Sequence, residues 1–136
     1  MPVIRSAESR RTQTPNAVMT TLASPTQGNA SSAIWRVDMR PGQQGPLHGV
    51  DAEQIWTVLD GGAKVLLGAQ AVAVRPGDTL VIPADLPRQI TADPSGGLAA
   101  IVTAPAAMRA YVVDNSRAGE RGAVPDSDKL LPAWVA

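Results

Sequence analysis

The stretch from Gly42 to Gly61, which reads GQQGPLHGVDAEQIWTVLDG, constrains the fold more than any other part of the chain. It opens on a Pro-Gly turn at residues 41–42 and closes on a Gly-Gly pair at residues 61–62. That pair fits a tight hairpin turn, because glycine tolerates positive φ. The only histidine of the protein, His48, lies between the two turns. Since the first hundred residues show no sustained helical periodicity, short strands separated by turns are predicted.

Alternation along the chain supports these strands. In residues 33–40 the face that includes Trp35 is apolar, and in residues 54–60 Gln54 and Trp56 share one face. The predicted strands cover residues 17–23, 33–40, 54–60, 63–67, 71–75, 79–82, 88–92, 98–103 and 111–113, with a further short strand at 3–4. This order predicts an all-β fold, either a closed barrel or two packed sheets.

The length of 136 residues predicts one domain spanning the whole chain. Its core is expected at about residues 31–115, preceded by a polar, loose N-terminal arm at 1–15 and followed by a C-terminal tail at 116–136. The chain contains no Phe and no Cys, so the core must be aliphatic and thiol chemistry is excluded. Each of the three tryptophans is predicted to be a core or pocket element.

The net charge is zero, so no basic surface indicates binding to nucleic acid or to an anionic membrane. The first residues have no apolar stretch typical of a signal peptide, and no run of residues is long and apolar enough to span a bilayer. We therefore expect a cytoplasmic protein that binds neither nucleic acid nor membranes.

Two stretches resemble the sequence motifs of the cupins. The first cupin motif, G-x5-H-x-H-x3/4-E-x6-G, is matched at Gly42, His48 and Gly61, and the second, G-x5-P-x-G-x2-H, at Gly77 and Pro83. The resemblance implies a cupin-type antiparallel β-barrel, also described as a double-stranded β-helix or jelly roll. It also implies a homodimer formed through sheet edges and terminal strands.

The resemblance covers roughly residues 33–104, but it fails at the metal ligands. Cupin metals are usually held by three His and one Glu, and only His48 remains here, with Val50, Gln54 and Arg88 at the other three positions. Val cannot ligate, Arg is cationic, and an amide oxygen is a poor neutral ligand for a first-row metal. We therefore expect no metal and no other cofactor.

His48 and Arg88 are the predicted catalytic residues. At the matching cupin position a histidine faces the barrel mouth, where it can transfer protons near neutral pH. An inward Arg88 could stabilise a carboxylate, phenolate or enolate in place of the metal. The alternatives are a loop histidine that caps a turn and an arginine on the surface edge of a strand.

Five residues are predicted to bind substrate. Gln54 and Trp56 share the inward face, where Trp56 would form a stacking wall unless it is simply core. Val50 occupies a ligand position, and Trp35 belongs either to the core or to the pocket. Glu53 lies on the opposite strand face unless a bulge turns it inward.

These residues favour a metal-independent enzyme that binds a small, largely apolar molecule, such as an aromatic or polyketide-like one. His48 and Arg88 would suit isomerisation, cyclisation, elimination or dehydration, which need proton transfer and no redox centre. One alternative is a binding or sensing module without turnover. Another is an atypical metal enzyme that uses His48 with Glu53 or Asp51.

Overall fold

The computed structural model describes residues 3–113 and 124–136, which form eleven strands and two short 3-10 helices. The strands are β1 (Arg10–Gln13), β2 (Val18–Ala23), β3 (Ser32–Met39), β4 (His48–Val50), β5 (Gln54–Gly61), β6 (Ala63–Leu67), β7 (Gln70–Val74), β8 (Thr79–Ile82), β9 (Arg88–Ala92), β10 (Leu98–Pro105) and β11 (Ala110–Val112). The 3-10 helices span Ser6–Glu8 and Asp126–Asp128. None of the helices in this part of the chain has the length and apolarity needed to cross a membrane.

All the strands belong to two antiparallel sheets. One sheet has six strands in the order β1-β2-β3-β10-β5-β8, and the other has five in the order β11-β4-β9-β6-β7. Side chains from both sheets form one mainly aliphatic core, to which Val37 and Val102 belong on the first sheet and Val65 and Ile90 on the second. The all-β prediction is confirmed.

The register of the six-stranded sheet brings two tryptophans onto one wall. Trp35 of β3 and Trp56 of β5 both pair with Val102 of β10, which runs between them. Residues directly opposite one another in an antiparallel sheet project from the same face. Burial alternates along β3 and along most of β5, as the sequence pattern predicts, so both indole rings face the core.

The hairpin predicted at residues 61–62 is wrong. Gly61 ends β5 in the six-stranded sheet and Ala63 begins β6 in the other, so the chain crosses between sheets there. Gly61 has φ 70°, and a Cβ atom at this position would overlap the backbone carbonyl of Gly97. Glycine is therefore required by the crossing, through positive φ and close backbone approach, and not by a two-residue turn.

The N-terminal arm also differs from the prediction. Val3 and Ile4 are not in a strand, whereas residues 10–13 within the supposedly loose arm form β1 at an edge of the six-stranded sheet. A four-residue pairing with β2 and a hydrogen bond from the Arg10 backbone N–H to Gln27 Oε1 (3.0 Å) order this segment. Its polar composition reflects an edge strand with partly exposed side chains.

The end of the C-terminal tail packs on the same region of the sheet. Thr21 Oγ1 donates to the Trp134 carbonyl (2.8 Å), and Ser24 Oγ donates to the main-chain oxygen of Ala136 (2.8 Å). Val135 is fully buried. The tail therefore covers β2 and places Trp134 beside the interior of the fold.

Candidate functional site

A largely apolar cavity of about 530 Å³ lies inside the fold. The six-stranded sheet contributes inward side chains such as Met19, Trp35 and Trp56, and the five-stranded sheet contributes His48 and Ile90. This volume lies within the range of pockets that bind drug-sized molecules. The cavity therefore suits a small organic ligand with a mainly apolar surface.

The opening of the cavity is formed mainly by segments outside the strands, with one residue of the edge strand β11. Residues 14–17 and the tail residues 130–134 line it, together with Val112. Leu130 and Val112 are 73% and 81% exposed, so these side chains mark the rim. An apolar ligand would meet apolar side chains before it reaches the interior.

His48 begins β4 and lines the cavity. Its Nδ1 lies 2.9 Å from the Pro46 carbonyl, which can only accept a hydrogen bond. In the neutral ring Nδ1 therefore bears the hydrogen, and Nε2 keeps a lone pair. This tautomer is the one in which Nε2 can act as a base.

The surroundings of His48 keep its ring neutral. Burial lowers the pKa of His48 below its ordinary value of 6.5, although the bond to the Pro46 carbonyl opposes this effect. The positive charge of Arg88 lowers the pKa further. At neutral pH His48 is therefore ready to accept a proton rather than to donate one.

Gln54 is 3% exposed and lies at the centre of a buried polar group. Its Oε1 accepts from Arg88 Nη1 and from Trp56 Nε1, each at 3.2 Å. Its Nε2 donates to Met108 Sδ at 3.4 Å. Gln54, Trp56 and Met108 all line the cavity.

Arg88 is fully buried but is not among the residues that line the cavity, contrary to the expectation of a guanidinium facing the ligand. It pairs with His48 in the register of β9 and β4, so both side chains leave the same sheet face. The guanidinium is held by the Leu86 carbonyl (2.8 Å from Nη2), the Pro83 carbonyl (3.1 Å) and Gln54. Burial lowers the pKa of Arg88 to about 10, so the side chain keeps its charge at neutral pH.

Tyr111 is a cavity residue that the sequence analysis placed only in a strand. Its hydroxyl donates to Asp85 Oδ1 at 2.7 Å, and its ring lies so close to Gly49 that a Cβ atom there would overlap it. Burial, the hydrogen bond to Asp85 and the charge of Asp85 raise the pKa of Tyr111 to about 12. Tyr111 is therefore a neutral wall residue whose proton is already donated away from the cavity.

The remaining predicted site residues are divided between the cavity and the surface. Val50 and Trp35 line the cavity and are 1% and 2% exposed. Glu53 is exposed and does not line it, because the alternation that turns Gln54 inward turns Glu53 outward. Asp51 accepts from Arg109 Nε at 3.2 Å, which uses its carboxylate in an ion pair.

These residues do not fit the metal that the cupin motifs imply. Val50 and Arg88 cannot ligate a cation, and the Gln54 oxygen already accepts two hydrogen bonds. Across residues 3–113 and 124–136, no group of three or more His, Asp or Glu lies close enough together to hold a metal ion.

The sequence analysis missed the residues that form the opening and part of the wall. The segment 14–17, Met108 and the tail residues reach the cavity through long-range packing, which leaves no local period in the sequence. One feature of the sequence does point to the tail: residues 130–136, LLPAWVA, are apolar, and an apolar segment is expected to pack against the fold. The surface on which this segment packs could not be predicted from the sequence.

Two packed antiparallel sheets around an apolar cavity define a β-barrel class of protein. The sequence matches the family model for the cupin domain over residues 35–103, just over half of the chain, and the chain therefore belongs to the cupin family. The predicted family and fold are confirmed. No curated protein sequence matches the chain significantly.

Solved structures agree with this family assignment. The polyketide cyclase RemF from Streptomyces resistomycificus is similar with a TM-score of 0.72 and 20% identity, over 88% of this chain and 89% of that chain. A cupin 2 domain-containing protein from Halorhodospira halophila has a TM-score of 0.70 and 20% identity, over 74% and 72%. A salicylate 1,2-dioxygenase from Pseudaminobacter salicylatoxidans has a TM-score of 0.65 and 17% identity, over 76% and 32%. At these identities the likeness establishes the fold alone.

Proposed function

We propose that this protein is a metal-independent cupin enzyme that performs acid–base chemistry on a small, largely apolar molecule, such as an aromatic or polyketide-like one. The observation that supports this most directly is His48, an imidazole that lines an apolar cavity with Nδ1 bound to the Pro46 carbonyl. General acid–base catalysis requires a group of this kind within reach of the ligand.

In the proposed reaction His48 Nε2 removes a proton from a carbon next to a carbonyl group, or from a hydroxyl group. The same proton is then returned at another position or passed to a leaving oxygen. Isomerisation, cyclisation, elimination and dehydration all follow this scheme without a change of redox state. The buried positive charge of Arg88, which is hydrogen-bonded to Gln54, stabilises the negative charge that develops on the ligand oxygen.

The two tryptophans in the cavity wall favour a flat ligand. Trp35 and Trp56 project from the same face of one sheet, on the two strands that flank β10, and aromatic rings provide stacking surfaces for planar molecules. The similar structure of RemF, which is a polyketide cyclase, supports cyclisation as one candidate reaction.

Proton transfer can be tested without knowing the natural substrate. 2-Tetralone is a small apolar ketone with exchangeable hydrogens next to its carbonyl, and their replacement by deuterium in D₂O is measurable by NMR. We expect the protein to accelerate this exchange, and His48→Gln to slow it by roughly a hundredfold, as for the loss of a general base. Gln70→Ala, a change at an exposed residue of β7, is the control and should keep the full rate.

Each alternative has a distinct result. Binding of 2-tetralone with no accelerated exchange would contradict the enzyme and favour the binding or sensing module. Exchange that disappears after dialysis against a chelator and returns on addition of a divalent metal would favour the metal-dependent enzyme. Exchange that is equally fast in His48→Gln would remove His48 from the mechanism.

A further inference from the structure

We propose that the Gln54 amide group is the hydrogen-bond donor that binds a carbonyl or enolate oxygen of the ligand, and that Arg88 is a positioning residue that fixes this donor. The inference rests on the proposed function and deepens it, since it assigns the chemical class of the ligand. The ligand is an apolar molecule that presents a ketone, or the enolate derived from it, to the floor of the cavity.

The orientation of the amide follows from the chemistry of its neighbours. Arg and Trp side chains have hydrogen-bond donors and no acceptor. The terminal Gln54 atom that lies 3.2 Å from both Arg88 Nη1 and Trp56 Nε1 must therefore be the oxygen. Rotating the amide by half a turn would set its NH₂ group against two donors, so the orientation is fixed.

The NH₂ group of Gln54 is left with a weak partner. It has two hydrogens, and it donates to Met108 Sδ at 3.4 Å, where a thioether is a poor acceptor. The oxygen of Gln54 already accepts two hydrogen bonds, from Arg88 and from Trp56, whereas the nitrogen faces Met108, which lines the cavity. Among residues 3–113 and 124–136 the thioether is the one acceptor bound to this buried amide donor, which therefore gains free energy when a ligand oxygen arrives.

Arg88 acts on the ligand through Gln54. Its guanidinium is fixed by the Leu86 and Pro83 carbonyls, so the Nη1–H group points at Gln54 from one position. A cation bound to the amide oxygen polarises the amide and strengthens its N–H donors, because hydrogen bonds in a chain reinforce one another. Arg88 thus strengthens the hydrogen bond from Gln54 to the ligand, although the guanidinium itself does not contact the ligand.

The ligand class follows from the two polar groups that line this part of the cavity. Gln54 Nε2 offers hydrogens, and His48 Nε2 offers a lone pair. A ketone satisfies both, because its oxygen accepts from Gln54 while a neighbouring C–H group faces the base. A pure hydrocarbon would leave His48 Nε2 without a partner and the Gln54 NH₂ group with the thioether of Met108, and this penalises its binding.

The test compares two probes, 2-tetralone and tetralin, which share a ring skeleton and differ in the carbonyl oxygen. Calorimetry with the full chain should give about fivefold tighter binding of the ketone, the factor expected for one net hydrogen bond. In Gln54→Glu the carboxylate still accepts from Arg88 and Trp56 but offers no N–H group. The ketone preference should then fall to about one. Gln70→Glu, the same change on an exposed residue, should leave it at fivefold.

Arg88 variants separate positioning from packing. In Arg88→Met the Gln54 amide is no longer held in place, so the protein should lose most of its preference for the ketone while its affinity for tetralin stays constant. Arg88→Lys should keep part of the preference, because one donor and the charge remain. A purely structural role would weaken both probes together. If Arg88→Met does not fold, Gln54→Glu still decides the proposal.

The results also separate this inference from the proposed function. A ketone preference that is absent in the wild-type protein, or unchanged in Gln54→Glu, overturns the donor even if His48-dependent exchange is present. A preference that depends on Gln54 supports the donor even if no exchange occurs, in which case the proposed enzyme fails and the binding module stands. Failure of the wild-type protein to bind either probe overturns the assigned ligand class.

Discussion

At the residue scale, the chemistry depends on His48 remaining neutral. Burial lowers the pKa of His48 below its ordinary value of 6.5, so the ring becomes protonated by the solvent only at a pH below that value. At neutral pH the ring is therefore the free base. The 2-tetralone exchange rate should therefore be constant from pH 8 to about 6.5 and should fall at lower pH. A pH–rate profile measures this limb, and a midpoint at or above 6.5 would contradict the neutral environment assigned to His48.

The charge of Arg88 provides a second test of the same residue. Because Arg88 lowers the pKa of His48, its replacement by Met should move the acidic limb of the profile to higher pH. Gln70→Ala should leave the limb in place, since this residue is on the surface. An unchanged midpoint in Arg88→Met would show that the charge of Arg88 does not contribute to the lowered pKa of His48.

The residue scale also shows what the sequence could reveal about the site. Alternation correctly turned Gln54 inward and Glu53 outward, because a strand buried on one face leaves a period of two. The surroundings of Arg88 were not readable, because its partners include backbone carbonyls of the loop after β8. Carbonyl groups belong to every residue and leave no pattern in a sequence.

At the scale of elements, the crossing from β5 to β6 makes a specific demand on Gly61. Gly61→Ala should destabilise the fold by more than 2 kcal/mol, since it combines the roughly 1–2 kcal/mol cost of positive φ with overlap against Gly97. Gly42→Ala is the matched control, because Gly42 has φ 75° and no heavy atom near the position of an added Cβ atom. Urea unfolding compares the two variants, and equal losses of stability would show that the close approach does not matter.

The same crossing explains an error of sequence reasoning at the level of elements. A Gly-Gly pair between two apolar segments fits a hairpin, and the local sequence of β5 and β6 is compatible with one. The choice between a hairpin and a crossing depends on β10 and β9, the distant strands that pair with β5 and β6. The position of a strand can be predicted from its own residues, whereas the sheet to which it belongs depends on strands that are distant in the sequence.

At the scale of the whole molecule, the expected homodimer remains a prediction. Exposed apolar side chains lie on edge strands of both sheets, with Val112 on β11 (81% exposed) and Val81 on β8 (58% exposed). Exposed edges favour pairing with another copy. Light scattering at micromolar concentration should give twice the 14.1 kDa mass of the chain. If one of these edges forms the dimer, Val112→Lys or Val81→Lys at that edge should give monomers, and the substitution at the other edge should leave the dimer intact. A monomeric wild-type protein would refute the stable dimer.

The distribution of aromatic residues has a practical consequence. The chain contains three tryptophans and one tyrosine, and Trp35, Trp56, Trp134 and Tyr111 all line the same cavity. Intrinsic fluorescence therefore reports on this one region of the protein, with no indole elsewhere to add background. A ligand that enters the cavity should change the emission of the unlabelled wild-type chain, so a library of candidate substrates can be screened optically before any reaction is known.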